Sequence, residues 1–318
     1  MRKLCPTLYI FIAVTLATVP KVRAQADISI ATYYYNRGSY NPASIARVDY
    51  LYLFSNAHLQ WTGVKGAPRV FNVQVSGYNH EKRSALGLSI IGDKIGVIQT
   101  LNPMLAYAYR ASHEQDWAFS MGLSAGIFSR SVSGALYEAD EIVDPSIQYT
   151  MEKSILPDAN IGFEFQNNHF VFSLSSTHLF SMGKSDNLYL NANHRYISAF
   201  YKNTNPELFN YHVGLMVINR DNLVTLQGSA YIRFKYQTGL ISGPREIFEV
   251  GTTYSTSRYQ SLLLGLYVSQ DFRIAYSFNQ TFNQGYSKNG THEITLEYRI
   301  PQRSAFANYY RRRGYWYN

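Results

Sequence analysis

Apolar and polar residues alternate along most of this chain with a period of two, the repeat of a β-strand and not of a helix. Between Arg69 and Tyr78, one parity carries Phe71, Val73 and Val75, and the other carries Asn72, Gln74 and Ser76. From Trp117 to Ile127 the greasy parity reads Trp117, Phe119, Met121, Leu123, Ala125, Ile127, against Ala118, Ser120, Gly122, Ser124, Gly126. Near the end, Ile274, Tyr276 and Phe278 alternate with Arg273, Ala275 and Ser277, and Ile294, Leu296, Tyr298 and Ile300 with Glu293, Thr295, Glu297 and Arg299. The pattern predicts fourteen strands, at 48–59, 69–79, 84–92, 98–110, 116–128, 158–167, 169–177, 192–203, 211–218, 223–236, 246–257, 260–269, 270–280 and 291–300. Only the strand at 192–203 has ambiguous parity.

Many of these strands have the roughly 9 to 11 residues that a tilted transmembrane strand requires. An all-β, antiparallel outer-membrane barrel fits an even strand number, one polar face and aromatic residues near strand ends. A secreted β-sandwich or propeller would show the same alternation with the apolar face packed inward. The barrel is favoured by small polar residues opposite the apolar face and by unequal connections. Long connections are expected at 129–157 and 178–191 and a moderate one at 281–290, all following odd-numbered strands. With the N-terminus in the periplasm, those connections face outward, where such barrels carry their longer loops.

The N-terminus supplies a route to that membrane. Arg2 and Lys3 precede the apolar run Leu8–Ala17, and Val22-Arg23-Ala24 precedes Gln25, the pattern of a secretory signal peptide over residues 1–24. The apolar run is well short of the roughly 20 residues of a spanning helix. The one cysteine, Cys5, lies inside the signal, so the mature chain is expected to have neither disulfide nor cysteine metal site. Charged residues make up 16% of the chain, against about a quarter in a soluble domain, which points to a surface not wholly facing water. Setting aside residues 1–24 and 301–318, basic and acidic residues are equal at 21 each, so no basic face suits nucleic acid. The tail at 301–318, with Arg311-Arg312-Arg313, reads as a solvated end or as a contact for anionic lipid or a periplasmic partner.

Candidate chemistry is sparse. Gly122-Leu123-Ser124-Ala125-Gly126 matches the nucleophile-elbow pattern, which needs a sharp strand-to-helix turn. Alternation running straight through it predicts one uninterrupted strand instead. The eight histidines form no metal spacing; His113-Glu114 begins one, but Trp117 stands at the second ligand position. No phosphate-binding glycine loop is present, and no cofactor is expected. Glu164, His212, Arg233, Lys235, Glu249, Glu293, Glu297 and Arg299 fall on the lumen parity. Residues 25–47 precede the first strand and carry Tyr33, Tyr34, Tyr35 and Tyr40, too aromatic for a plain linker. They are expected either to plug the lumen or to contact a periplasmic subunit.

Several segments, in order, resemble the PorP/SprF family of type IX secretion outer-membrane proteins. They are Tyr40-Asn41-Pro42-Ala43, Gln60-Trp61 with Gly66-Ala67-Pro68, Gly87-Leu88, Asp93 to Gly96, Tyr107 to Arg110, Pro157-Asp158 with Ile161-Gly162-Phe163, and His292-Glu293. The family's N-P-A-Y-A-G is here Asn41-Pro42-Ala43-Ser44-Ile45-Ala46. The resemblance implies a non-catalytic barrel embedded in outer-membrane lipid. It also implies a role in coupling the periplasmic ring and motor proteins (PorK, PorN, PorE, PorL and PorM-like) to the membrane, or in docking the C-terminal domain of secreted cargo. The motif positions Asn41, Pro42, Gln60, Trp61, Gly66, Pro68, Asp158, His292 and Glu293 are then the expected partner or cargo contacts. The residues taken without the resemblance leave open a passive porin for small solutes.

Overall fold

The computed structural model describes residues 31–301, apart from 47–49, 114–116, 134–150, 183–190, 204–208, 221–222, 237–244, 258 and 282–289. The signal and the basic tail expected from sequence lie outside the described residues. Fourteen strands follow one another: Tyr50–Leu59 (β1), Arg69–Asn79 (β2), Ser84–Ile95 (β3), Ile98–His113 (β4), Trp117–Ser133 (β5), Met151–Asn167 (β6), Phe170–Thr177 (β7), His194–Lys202 (β8), Phe209–Arg220 (β9), Leu223–Tyr236 (β10), Arg245–Ser255 (β11), Tyr259–Tyr267 (β12), Phe272–Thr281 (β13) and Thr291–Pro301 (β14). Each pairs antiparallel with its sequence neighbours, and β1 also pairs with β14, from Tyr50 opposite Pro301 to Leu59 opposite His292. The sheet is therefore a closed barrel, without the free edges that hydrocarbon cannot satisfy.

Strand parity separates two environments. Leu123 is 58% exposed on the outer surface while its neighbours Gly122 and Ser124 are buried, and Leu105, Leu86 and Ile155 are comparably exposed. The apolar faces thus point away from the barrel and the polar faces into it, the inverse of a soluble sandwich and the arrangement of a barrel in lipid.

The chain enters β1 and leaves β14 at one rim, which also carries the short connections 80–83, 168–169 and 268–271. Its outer surface is belted with aromatic pairs, Trp117 on Phe165 at 6.1 Å, Phe170 on Tyr201 at 5.1 Å, and Phe234 on Phe248 at 6.1 Å. Of these rings Trp117 and Tyr201 carry a polar edge, which favours the depth of lipid headgroups. The opposite rim carries the longer connections 60–68, 134–150, 178–193 and 282–290.

The expected 129–157 connection is shorter than sequence indicates, because β5 runs to Ser133 and β6 begins at Met151. Pro157 reads as a strand breaker, yet it pairs with Ile127 of β5. Pairing of β6 with β7 covers only Ile161–Gln166, so the other edge of β6 at Pro157 has no ladder to interrupt. Within β4, Pro103 likewise lacks an N–H, and the neighbouring Asn102 side chain donates to the Ile127 carbonyl at 2.9 Å, giving that carbonyl a donor.

Candidate functional site in the barrel lumen

Residues 31–46 lie inside the barrel. Two short 3-10 turns shape them, Arg37–Ser39 and Pro42–Ile45. Asn41 caps the second turn: its Oδ1 accepts from the Ala43 N–H at 3.0 Å, Pro42 takes the first position, and its Nδ2 donates to the Phe163 carbonyl of β6 at 3.1 Å. Proline is suited there because its missing N–H would have had no partner inside the turn.

Glycines on the wall make room for this turn. A Cβ on Gly162 would collide with the Asn41 carboxamide, and one on Gly122 with the Pro42–Ala43 backbone. On β3, a Cβ at Gly87 would come within 3.2 Å of Ile45 Cδ1. Residues 41–45 therefore seat in notches that three strands leave open, Asn41-Pro42-Ala43 against Gly122 and Gly162 and Ile45 against Gly87. Arg110 of β4 closes this end, donating to the Ala46 carbonyl at 3.0 Å.

The other end is held by carboxylates. Glu293 of β14 accepts the Ala31 N–H at 3.1 Å, the Thr32 N–H at 3.3 Å and the Thr32 hydroxyl, and also Asn56 Nδ2 at 2.9 Å. Tyr35 donates its hydroxyl to Glu249 of β11, which also accepts from Arg233. Arg273 lies over the Tyr35 ring at 3.7 Å and pairs with Glu297, which in turn pairs with Arg299. Tyr34 stacks on Tyr231 at 4.2 Å, and the Tyr33 hydroxyl meets Ser229 at 3.0 Å. Burial pushes the Tyr33 phenol up to about 12, with the Ser229 hydrogen bond opposing the rise, so the ring stays neutral at neutral pH.

Between these ends, Arg37 makes a two-point pair with Glu164 of β6, at 3.1 Å through Nε and 3.2 Å through Nη2. Burial works against the Arg37 charge, but the adjacent carboxylate outweighs it and holds the guanidinium protonated well above its ordinary range. A buried ion with its partner removed costs several kcal/mol, so each such pair fixes the segment in one position.

The positions expected as partner contacts divide into two groups. Asn41, Pro42, Asp158 and Glu293 are buried against the chain's own atoms. Asp158 accepts from Asn102 Nδ2 at 3.0 Å and faces His178 Nδ1 at 2.7 Å. These four hold the lumen together, because parity and the inward segment turn them away from the outside. Gln60, Trp61, Gly66, Pro68 and His292 lie at the long-loop rim. The Gln60 N–H donates to the Pro68 carbonyl at 3.0 Å, Trp61 N–H to Thr291 Oγ1 at 3.3 Å, Thr62 N–H to the Gly290 carbonyl at 3.1 Å, and Gly96 N–H to the Gly66 carbonyl at 2.8 Å. The loop is thus tied to two neighbouring hairpins. Gly66 has φ +76°, where a side chain would be strained. Pro68 is buried beneath it, and His292 meets the Tyr276 hydroxyl at 2.6 Å.

A cavity of about 170 Å³ remains between residues 32–45 and the long-loop rim, lined in part by Asn36, Tyr40, Asn72, Phe128, His178 and His194. Gly122-Leu123-Ser124-Ala125-Gly126 runs inside β5 with no elbow, and Ser124 Oγ accepts from Asn160 Nδ2 at 2.9 Å. Among the described residues no group of three or more His, Cys, Asp or Glu is placed to hold a metal ion.

Sequence reasoning placed Glu164, Glu249 and Glu293 on the lumen parity but did not find Arg37, Thr32 or Arg110 as the groups they or the segment engage. Those residues sit outside any strand pattern or are one lumen residue among many.

Solved structures similar to this chain include membrane channels, porins and other outer-membrane proteins, all at low identity. The CymD monoaromatic hydrocarbon channel is 12% identical, with 87% of this chain and 95% of that one covered and a TM-score of 0.42. A TodX monoaromatic hydrocarbon channel mutant is 8% identical over 82% and 93%, with a TM-score of 0.47. Omp33 of Acinetobacter baumannii is 6% identical over 80% and 98%, with a TM-score of 0.44. No functionally curated protein matches the sequence. The model of the type IX secretion system membrane protein PorP/SprF matches residues 22–298, nearly the whole chain, and this outer-membrane barrel belongs to that family.

Proposed function

We propose that this protein is a non-catalytic docking component of the type IX secretion system, closed to small solutes, that holds secreted cargo or the periplasmic ring and motor proteins at the outer membrane. The observation that carries the closed state is the placement of residues 31–46 across the lumen, held by Glu293, Glu249, Glu164 and Arg110 from four different strands. A diffusion channel is served by an unobstructed polar lumen, whereas this lumen is spent on binding the chain's own segment. In this reading the rim with the long connections faces outward and the aromatic rim with the chain ends faces the periplasm, following the usual loop asymmetry. The tied loop around Trp61 then offers a rigid aromatic contact at the outward rim, the kind of residue on which binding energy concentrates.

Deletion of the protein tests this. Cargo carrying a C-terminal secretion domain should accumulate in the periplasm while uptake of small hydrophilic solutes stays unchanged. Normal secretion with reduced solute uptake would replace this reading with a porin.

A further inference from the structure

The outer surface near the long-loop rim carries a row of cations on the lipid-facing parity. Register sets them side by side: Leu59 of β1 lies opposite Arg69 of β2, Arg69 opposite Lys94 of β3, Lys94 opposite Gln99 of β4, Gln99 opposite Ser131 of β5, and Ser131 opposite Lys153 of β6. Arg69, Lys94 and Lys153 are all exposed. Among the described residues none of the three is in an ion pair, and no acidic residue shares the row.

Arg69 and Lys94 directly opposite each other repel, so a bound anion is favoured between them. The next lipid-facing row toward the membrane centre is Phe71, Gly92, Leu101, Ser129 and Ile155, paired in the same order. Phe71, Leu101 and Ile155 are exposed there, and a Cβ on Gly92 would collide with the Phe71 ring. Cations thus stand above an apolar floor, the stratification of a phosphorylated lipid with its acyl chains beneath. Lys94 and Lys153 are three strand spacings apart, about 14 Å along the row. Two separated positive points with the hydrogen-bonding side chains of Gln99 and Ser131 between them suit two phosphates borne at opposite ends of a sugar headgroup.

We infer that Arg69, Lys94 and Lys153 form a binding site for a bis-phosphorylated glycolipid of the outer leaflet, of the lipid A type. Arg69 and Lys94 take one phosphate, Lys153 takes the other, and Gln99 and Ser131 face the sugars. Guanidinium and ammonium groups bind phosphate oxygens by charge-assisted hydrogen bonds. The biological setting rests on the outward assignment of the long-loop rim.

The test uses the full mature barrel in detergent, with native mass spectrometry reading retention of bis-phosphorylated lipid A, dephosphorylated lipid A and phosphatidylglycerol. The wild type should retain bis-phosphorylated lipid A at least tenfold better than the other two. A variant combining Arg69→Ser, Lys94→Ser and Lys153→Ser should lose that preference while keeping heat-modifiable migration, and Arg245→Ser at the opposite rim should retain it. Equal retention of all three lipids, no retention of lipid A, or an unchanged preference in the triple variant would each overturn the site. Val64→Cys, at the exposed tip of the 60–68 loop, separates the two readings. Its labelling by an impermeant maleimide on intact cells reports rim orientation alone, and absence of labelling would sink the outward assignment without deciding the detergent result.

Discussion

Arg37 and Glu164 join a segment that precedes the barrel to the sixth strand of its wall, through a buried two-point ion pair at 3.1 and 3.2 Å. Removing one partner leaves the other charge buried without compensation, at a cost of about 3–5 kcal/mol. Arg37→Ala should therefore loosen the segment while the closed sheet persists. In planar bilayers the wild type should be silent and the variant should show intermittent openings, with heat-modifiable migration unchanged. A variant as silent as the wild type would mean that the pair does not hold the lumen shut.

The glycine notches make a second, independent prediction. Gly162→Val places a side chain where the Asn41 carboxamide sits. The segment should be displaced and trypsin should cleave after Arg37, which is buried in the wild type. Resistance to trypsin in a folded Gly162→Val barrel would show that the notch is not needed to seat the turn.

Lipid-facing parity is tested at Leu123, 58% exposed on the outer surface of β5. Leu123→Arg should destabilise the barrel in vesicles by about 2–4 kcal/mol if it lies near the bilayer midplane. Val64→Arg, at a loop tip, should change stability by less than about 0.5 kcal/mol. Comparable losses at both positions in urea titrations would contradict the assignment of faces.

Trp61 stands at φ +45° in a loop tied to Thr291 and, through Gly66, to Gly96. If the loop docks cargo or a partner, Trp61→Ala should lower surface display severalfold without altering barrel folding. Flow cytometry of displayed cargo checks this, and normal display would remove the loop from the docking account.

Strand number, order and facing were legible in the sequence because period-two alternation reports a property of each strand by itself. Phe71 against Asn72, or Leu123 against Ser124, needs no knowledge of distant residues. The start of β6 was not legible, since Pro157 is compatible with a strand only when one edge is unpaired, and that depends on how far β7 extends. The seat of residues 41–45 was hidden for a similar reason. Gly87, Gly122 and Gly162 lie on three strands, and each alone reads as one small inward residue. The dense tyrosines of residues 33–40 marked a segment seeking burial, but Tyr35 and Arg37 carry no sign that Glu249 and Glu164, far along the chain, receive them.

The central claim, a docking role in type IX secretion, is tested most directly by affinity purification of the tagged protein from detergent-solubilised outer membrane, followed by mass spectrometry. The account predicts co-purification of periplasmic ring proteins, or of a large secreted protein bound through its C-terminal domain. Recovery of the bare barrel, together with ohmic conductance of that preparation in planar bilayers, would contradict it.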